Sequence, residues 1–292
     1  VLENIAKDFS SGRWGAVTNS TYLRVLGEPT TGDQLEVRMW TSGRSGPLNA
    51  ITDLTYDFRK MLPGGGYERV AWLEQQSTWV EILGHGIVKP APFSEYYAEF
   101  MDNMIPLSEP SKIPDLLPES LVNLHEVEKE QIHFQAKVGP NILPILYEQF
   151  IETSLCDSNI VGNIYFASYH SWLGYTRDQY FYQLVPDYYR GIGEKGELLC
   201  IECRVNHLRE AMPFDRIVVT MALKKLTRAH VFLYFEFFRQ ESNGQRTKLA
   251  FGEQTNVWVK RTSEGKPEAA PFPKRVKKAF SDAISGVVPS DE

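Results

Sequence analysis

CDSNIVGNIYFASYHSWLGYTRDQYFYQL, residues 156–184, is the stretch on which the fold turns. From Asn163 onward, Tyr165, Tyr169, Trp172, Tyr180 and Leu184 recur at spacings that put them on one apolar stripe of a long helix. Gly174 lies inside that run, costs about 1 kcal/mol against alanine, and needs a packing reason to be there. The residues ahead of Asn163 read as the loop that delivers the chain into the helix.

Downstream the composition changes to Val, Ile, Thr, Tyr, Phe and Trp with approximate alternation, as in VVTMAL (218–223), and with a turn at SNG. The same blocks occur earlier in the chain. AWLEQQSTWV (71–80) and AFGEQTNVWV (250–259) share Ala, Glu, Gln, Trp and Val at an offset of 179 residues. At that offset LTYDF (54–58) falls on LYFEF (233–237), and with a small slip GDQLEVRMW (32–40) falls on FDRIVVTMA (214–222). Three blocks in one order make an internal repeat, each copy with four or more strands in hairpin succession. A long apolar helix followed by an antiparallel sheet able to wrap it is an α+β arrangement.

The first copy is incomplete at its N-terminal side. Its strands begin near Gly15, which aligns with Gly196, and only 14 residues precede that point, whereas the second copy has roughly 48 residues of strand, loop and helix before its own. Val1 is therefore not expected to be a natural N-terminus. The expected organisation is a first repeat over 1–104, a Pro-rich and charged linker over 105–142 that includes a short helix, a second repeat over 143–261, and a tail of linker composition over 262–292.

Composition narrows the function classes. With 42% hydrophobic and 23% charged residues the chain is ordinary globular material, without a run of about 20 apolar residues for a membrane helix or a signal-peptide order at its start. A net charge of −6 argues against nucleic acid, which needs a clustered basic face. Three cysteines, an odd number, suggest reduced thiols and a cytoplasmic location. Cys200 and Cys203 have C-x-x-C spacing, but in a regular strand residues three apart point to opposite faces, so no metal site is expected from them.

The 156–184 stretch resembles the 4-hydroxybenzoyl-coenzyme A thioesterase superfamily, and still more the enediyne-type polyketide thioesterases. The latter carry Asp-x-Asn-x-Val-Gly-Asn-x-Tyr, then a Tyr, a Trp-x-Gly and an Arg. Asp157, Asn159, Val161, Gly162, Asn163, Tyr165, Tyr169, Trp172, Gly174 and Arg177 stand at that spacing. Leu173 and Tyr175 depart from the pattern, which prefers Gln and Arg there. The resemblance implies a double hot-dog fold, antiparallel sheets wrapping central helices.

It also implies roles. Where the benzoyl-type enzymes place a catalytic Asp, this chain and the enediyne-type branch have Asn, so catalysis is expected from positioning and electrostatics. Asn159, with N–H groups at the helix start, would orient a water and hold the thioester oxygen; Tyr169 and Arg177 complete the catalytic set, Arg177 gripping a β-keto or enolate oxygen. Asp157, Gly162, Asn163, Tyr165 and His170 are expected at the substrate. On spacing alone the same residues have plainer readings: Asn159 as a turn residue, Tyr169 and Trp172 as core, Arg177 as a solvated partner of Asp178, His170 as a neighbour without a catalytic part.

The expectation is a thioesterase-like enzyme acting on a polyketide, β-keto acyl thioester carried by the phosphopantetheine arm of an acyl carrier protein. No metal or diffusible cofactor is implied. Other polyketide synthase domains are the expected partners, and a homodimer is compatible with the resemblance. Hot-dog folds also host other work, so a double hot-dog acyltransferase/decarboxylase, a dehydratase, or a non-catalytic carrier-protein docking module are the alternatives. The dehydratase lacks its His and acid pair at the expected positions.

Overall fold

The computed structural model describes residues 7, 10–84, 86–103, 119–127, 130–136, 143–159, 161–190 and 196–285. Two compact units emerge, one from Val1–Leu116, Glu152–Ser168 and Arg204–Asp215, the other from Leu117–Ile151, Tyr169–Cys203 and Arg216–Glu292. The loop of the 156–184 stretch thus belongs to the first unit and nearly all of its helix to the second.

In the first unit, β1 (Trp14–Val25), β2 (Leu35–Ser45), β3 (Ile51–Met61), β4 (Tyr67–Gly84) and β5 (Ile87–Pro90) are followed by α1 (Glu95–Asn103). The sheet order is β2-β3-β4-β1, with β5 on β4 and these strands paired antiparallel, Val37 opposite Phe58, Asp57 opposite Trp72 and Thr21 opposite Gln75. These are the hairpins that the alternating Val, Thr and aromatic residues predict.

The segment expected as linker contains α2 (Glu119–His125) and β6 (Ile132–Gln135), and 104–118, 128–129 and 137–142 lie outside the described residues. In the second unit β7 (Ile145–Glu152) leads to α3 (Phe166–Leu184) and the short α4 (Pro186–Tyr189), then β8 (Glu197–His207), β9 (Arg216–Thr227), β10 (His230–Gln240), β11 (Arg246–Arg261), β12 (Pro267–Ala269) and α5 (Lys274–Ser285). The strand order there is β8-β11-β10-β9-β6, with β12 on β11 and β7 on β9. The residues of linker composition after 261 fold into β12 and α5, and α5 buries Val276 and Phe280.

The predicted helix is α3, and its buried face is Tyr169, Trp172, Leu173, Thr176, Tyr180 and Phe181. Tyr165 falls before the helix and is exposed, because the loop consumes it. Among the described residues α3 has no counterpart in the first unit.

The repeat reaches further than the matching sequence blocks. In the first unit Trp79 N–H donates to the Ala50 carbonyl (2.7 Å), Ala91 N–H donates to Trp79 (3.1 Å), and the indole lies against Phe93 and Tyr97 with ring centroids 5.5 and 4.5 Å away. At an offset of 179, Trp258 N–H donates to Ala229 (2.8 Å), Ala270 N–H to Trp258 (2.8 Å), and Phe272 takes the place of Phe93. The ion pair of Asp57 with Arg69 likewise recurs as Glu236 with Lys248.

The copies differ in which sheet face is dry. In β10 the buried residues are Leu233, Phe235 and Phe237, the last against Tyr169 of α3, while Tyr234, Glu236 and Phe238 are half-buried. In β3 the equivalents of the half-buried set, Thr55, Asp57 and Arg59, are buried, and Leu54, Tyr56 and Phe58 are half-buried. Asp57 is fully enclosed and bridges Arg59 and Arg69, which is how a buried carboxylate is tolerated.

Candidate active site

The loop ahead of α3 is built from short polar side chains that close on their own backbone. Ser154 and Asp157 form a capping box: Ser154 Oγ accepts from Cys156 N–H (3.2 Å), and Asp157 Oδ2 accepts from Ser154 N–H (2.8 Å) and Ser154 Oγ (3.1 Å). Asn159 closes the next turn. Its Oδ1 accepts from Val161 N–H (2.8 Å), its carbonyl from Gly162 N–H (3.0 Å), and its own N–H donates to the Asn163 carbonyl (2.9 Å). Gly162 has φ 91°, a left-handed conformation that favours glycine, so the turn requires it. The turn reading of Asn159 is therefore realised.

This loop is stitched to the segment after β8. Thr153 N–H and Oγ1 both donate to the Asp215 carbonyl (3.1 and 2.7 Å), Ile164 N–H donates to the Ala211 carbonyl (2.9 Å), and Asp215 Oδ2 accepts from Met212 N–H (2.9 Å). Asn163, 6% exposed, donates its side-chain N–H to the Glu210 carboxylate, and its Oδ1 is buried without a partner among the described residues. Burial pushes the Glu210 carboxyl above the usual range, and the Asn163 bond opposes that only in part. Glu210 was not among the residues expected from sequence. Its segment, LREAMPFD, has no periodicity, and nothing local marks this carboxylate, which follows Arg209, as a site residue.

Tyr165 is 45% exposed, edge-on to Phe166 at 4.7 Å. Nearby, Tyr56 donates its hydroxyl to Gln75 Oε1 (2.9 Å), and burial, with smaller contributions from the Tyr165 and Tyr97 phenols, pushes it up to about 12.

On α3 the residues separate by depth. Tyr169 is 2% exposed and wedged between Trp172 and Phe237, centroids 4.9 and 5.1 Å away, so its ring is core. His170 Nδ1 lies 3.2 Å from Cys203 Sγ, and burial lowers its pKa to about 4, which leaves the imidazole neutral at pH 7. Arg177 comes eight residues after Tyr169, about 12 Å along the axis. Its Nε donates to Asp178 Oδ1 (2.9 Å) and an Nη to Asn256 Oδ1 (2.9 Å). It borders a cleft of about 780 Å³ lined also by Tyr188, Tyr189, Leu198, Lys260 and Arg261.

The structure thus brings Asp157, Asn159, Gly162, Asn163 and Tyr165 together in one loop, sets Tyr169 and His170 in the core of the second unit, and gives Arg177 a cleft of its own. One expectation about the cysteines is corrected: β8 buries Leu198, Ile201, Cys203 and Val205, a three-residue step that breaks strict alternation, and the Cys200 and Cys203 thiols interact instead of pointing apart. Among the described residues no three His, Cys, Asp or Glu side chains gather as a metal site.

Residues 153–280 match the model of the thioesterase-like superfamily. No curated protein matches the chain. Among solved structures it is similar to the dynemicin thioesterase, with 27% identity over 47% of this chain and 96% of that one and a TM-score of 0.43. It is similar to the 12:0-ACP thioesterase from Umbellularia californica, with 15% identity over 86% and 75% of the two chains and a TM-score of 0.56. A protein from Lactobacillus plantarum assigned as an oleoyl thioesterase gives 13% identity, coverage of 86% and 79%, and a TM-score of 0.54. The latter two share the fold over most of the chain. No helix among the described residues is long and apolar enough to cross a membrane. Residues 153–280 are therefore similar to the thioesterase-like superfamily, and the antiparallel sheets with the long helix α3 make the fold a hot-dog α+β arrangement, as in the two solved structures matched over most of the chain.

Proposed function

We propose that the chain hydrolyses an acyl thioester held on the phosphopantetheine arm of an acyl carrier protein, and that the acyl group is a β-keto polyketide chain. The observation that carries this reading is the loop from Ser154 to Ile164, closed by Asn159 and Gly162, fixed to the segment after β8, and leading directly into α3. A turn held this firmly fixes the start of α3, whose positive dipole end favours a developing oxyanion at low reorganisation cost. The Asn159 amide nitrogen adds a donor beside it. Arg177 offers a planar cation to a β-keto or enolate oxygen from the wall of its cleft. A carrier-bound substrate is the one named for the 12:0-ACP thioesterase, whose fold the chain shares.

The chemistry so proposed uses no resident metal or cofactor. A non-catalytic docking module is the second reading, favoured by the ties of Asn159 to its own turn and of Arg177 to Asp178 and Asn256. Incubating the protein with acyl-carrier substrates and following intact mass separates the two. Loss of the acyl group supports hydrolysis, loss of carbon dioxide or transfer points to the acyltransferase/decarboxylase, and an unchanged, merely bound carrier supports docking.

A further inference from the structure

We infer that Glu210 is the general base of thioester hydrolysis in this chain, acting on a water that the side-chain oxygen of Asn163 helps to orient; this rests on the thioesterase reading. Position 159 holds no carboxylate, so the proton of the attacking water needs another acceptor. The aspartates of the loop and of the segment after β8 already accept hydrogen bonds. Asp157 takes the Ser154 N–H and hydroxyl, and Asp215 takes the Met212 N–H. Glu210 has one hydrogen-bond partner among the described residues, Asn163, and therefore keeps acceptor capacity.

The geometry ties this carboxylate to the motif. The Ile164 to Ala211 backbone bond and the Thr153 bonds to Met212 and Asp215 hold the Glu210 segment against the loop. Asn163 uses its N–H on Glu210 and leaves a buried oxygen that needs a donor. A water that donates one O–H to Asn163 Oδ1 and the other to Glu210 has its lone pair free for the thioester carbon. The enclosure of Glu210 raises its proton affinity, which suits a group that must take a proton and return it.

The step balances. Glu210 takes a proton from water as the oxygen bonds to the thioester carbon; the tetrahedral intermediate collapses with C–S cleavage; the leaving thiolate takes the proton from the Glu210 carboxyl. Thioester and water give carboxylic acid and thiol.

The test uses the whole chain with a β-ketoacyl N-acetylcysteamine thioester, measuring kcat and KM from pH 5 to 9. Glu210→Gln keeps an oxygen for the Asn163 N–H and nearly the same shape. It should lower kcat by about 100-fold or more, in the range of a lost general base. KM should stay within about threefold, and the rise of rate on the acid side should disappear. Glu210→Asp should recover part of the rate together with that rise. Turnover by wild type with Glu210→Gln within about twofold, or with its acid-side rise intact, overturns the role of Glu210 alone. A wild type that releases no thiol overturns the thioesterase reading, and the role of Glu210 with it. If Glu210→Gln does not fold, the wild-type profile decides. An acid-side rise centred above the ordinary glutamate value of about 4.3 supports the base, and a rate flat from pH 5 to 8 overturns it.

Discussion

Val161 lies where a side chain on Gly15 would have to go: its Cγ2 is 2.6 Å from the position of a Cβ on that glycine. The motif loop therefore rests on the start of β1, and the absence of a side chain at residue 15 sets its height. Gly15→Ala should push the loop off the sheet, at a cost of about 1–3 kcal/mol as for other overpacked sites. Thioester turnover should fall as well. Thermal melts and steady-state rates check this, and a variant with wild-type melting and rate removes the contact from consideration.

Asn159→Ala is expected to lose both turnover and about 1 kcal/mol of stability, because the side chain closes its own turn onto Val161 N–H. Asn159→Asp keeps the oxygen, so denaturant melts should place it within about 0.5 kcal/mol of wild type at neutral pH. Comparing the two rates then isolates the amide nitrogen.

Arg177 tests the grip on a β-keto oxygen. Arg177→Lys should fail nearly as badly as Arg177→Ala, by roughly 30- to 1000-fold, since an ammonium cannot reproduce the planar two-point contact. The defect should be larger on a β-ketoacyl substrate than on a saturated one. If Arg177 serves only Asp178 and Asn256, both variants should lie within about twofold on both substrates.

Gly174 sits in the interior of α3, and a Cβ there would meet nothing within 4 Å. The packing reason that the sequence seemed to demand is absent from its surroundings. Gly174→Ala should therefore raise stability by about 0.5–1 kcal/mol. A higher melting temperature with a lower rate would assign the glycine to function, and a lower melting temperature would refute the reasoning.

Asp57 links stability to pH. Burial alone would raise its pKa, but Arg69 and Arg59 outweigh that and hold the carboxyl below its usual range. A depressed native pKa contributes stability above the unfolded value near 3.9, and that contribution is lost as pH falls through the native value. Asp57→Asn should cost about 3–5 kcal/mol at pH 7 by removing the buried charge that Arg59 and Arg69 share. In urea melts the gap to wild type should narrow once the pH drops below 4.

The helix, the hairpins and the repeat were legible because each rests on local periodicity. Trp79 and Trp258 announce equivalent corners, and α3 carries its stripe in plain order. The tail after 261 read as linker because Pro, Lys and Glu dominate it, although Phe272, Val276 and Phe280 at fourfold spacing are the signal of a docked helix. Glu210 was invisible for another reason: its meaning comes from Asn163, 47 residues away, and no local pattern encodes that pairing. Likewise Asn159 could be seen as either turn or site, and only the Val161 bond shows that it serves the turn.

The opposite burial of β3 and β10 bears on how variation in this chain should be scored. Positions 179 apart match in sequence without sharing a tolerance profile: Tyr56 and Phe58 are half-buried and should tolerate polar replacement better than the buried Phe235 and Phe237. A deep mutational scan should show out-of-phase sensitivity along the two strands, with peaks at 55, 57 and 59 in one and at 233, 235 and 237 in the other. Substitution matrices averaged over both copies would cancel that signal, so each copy needs its own.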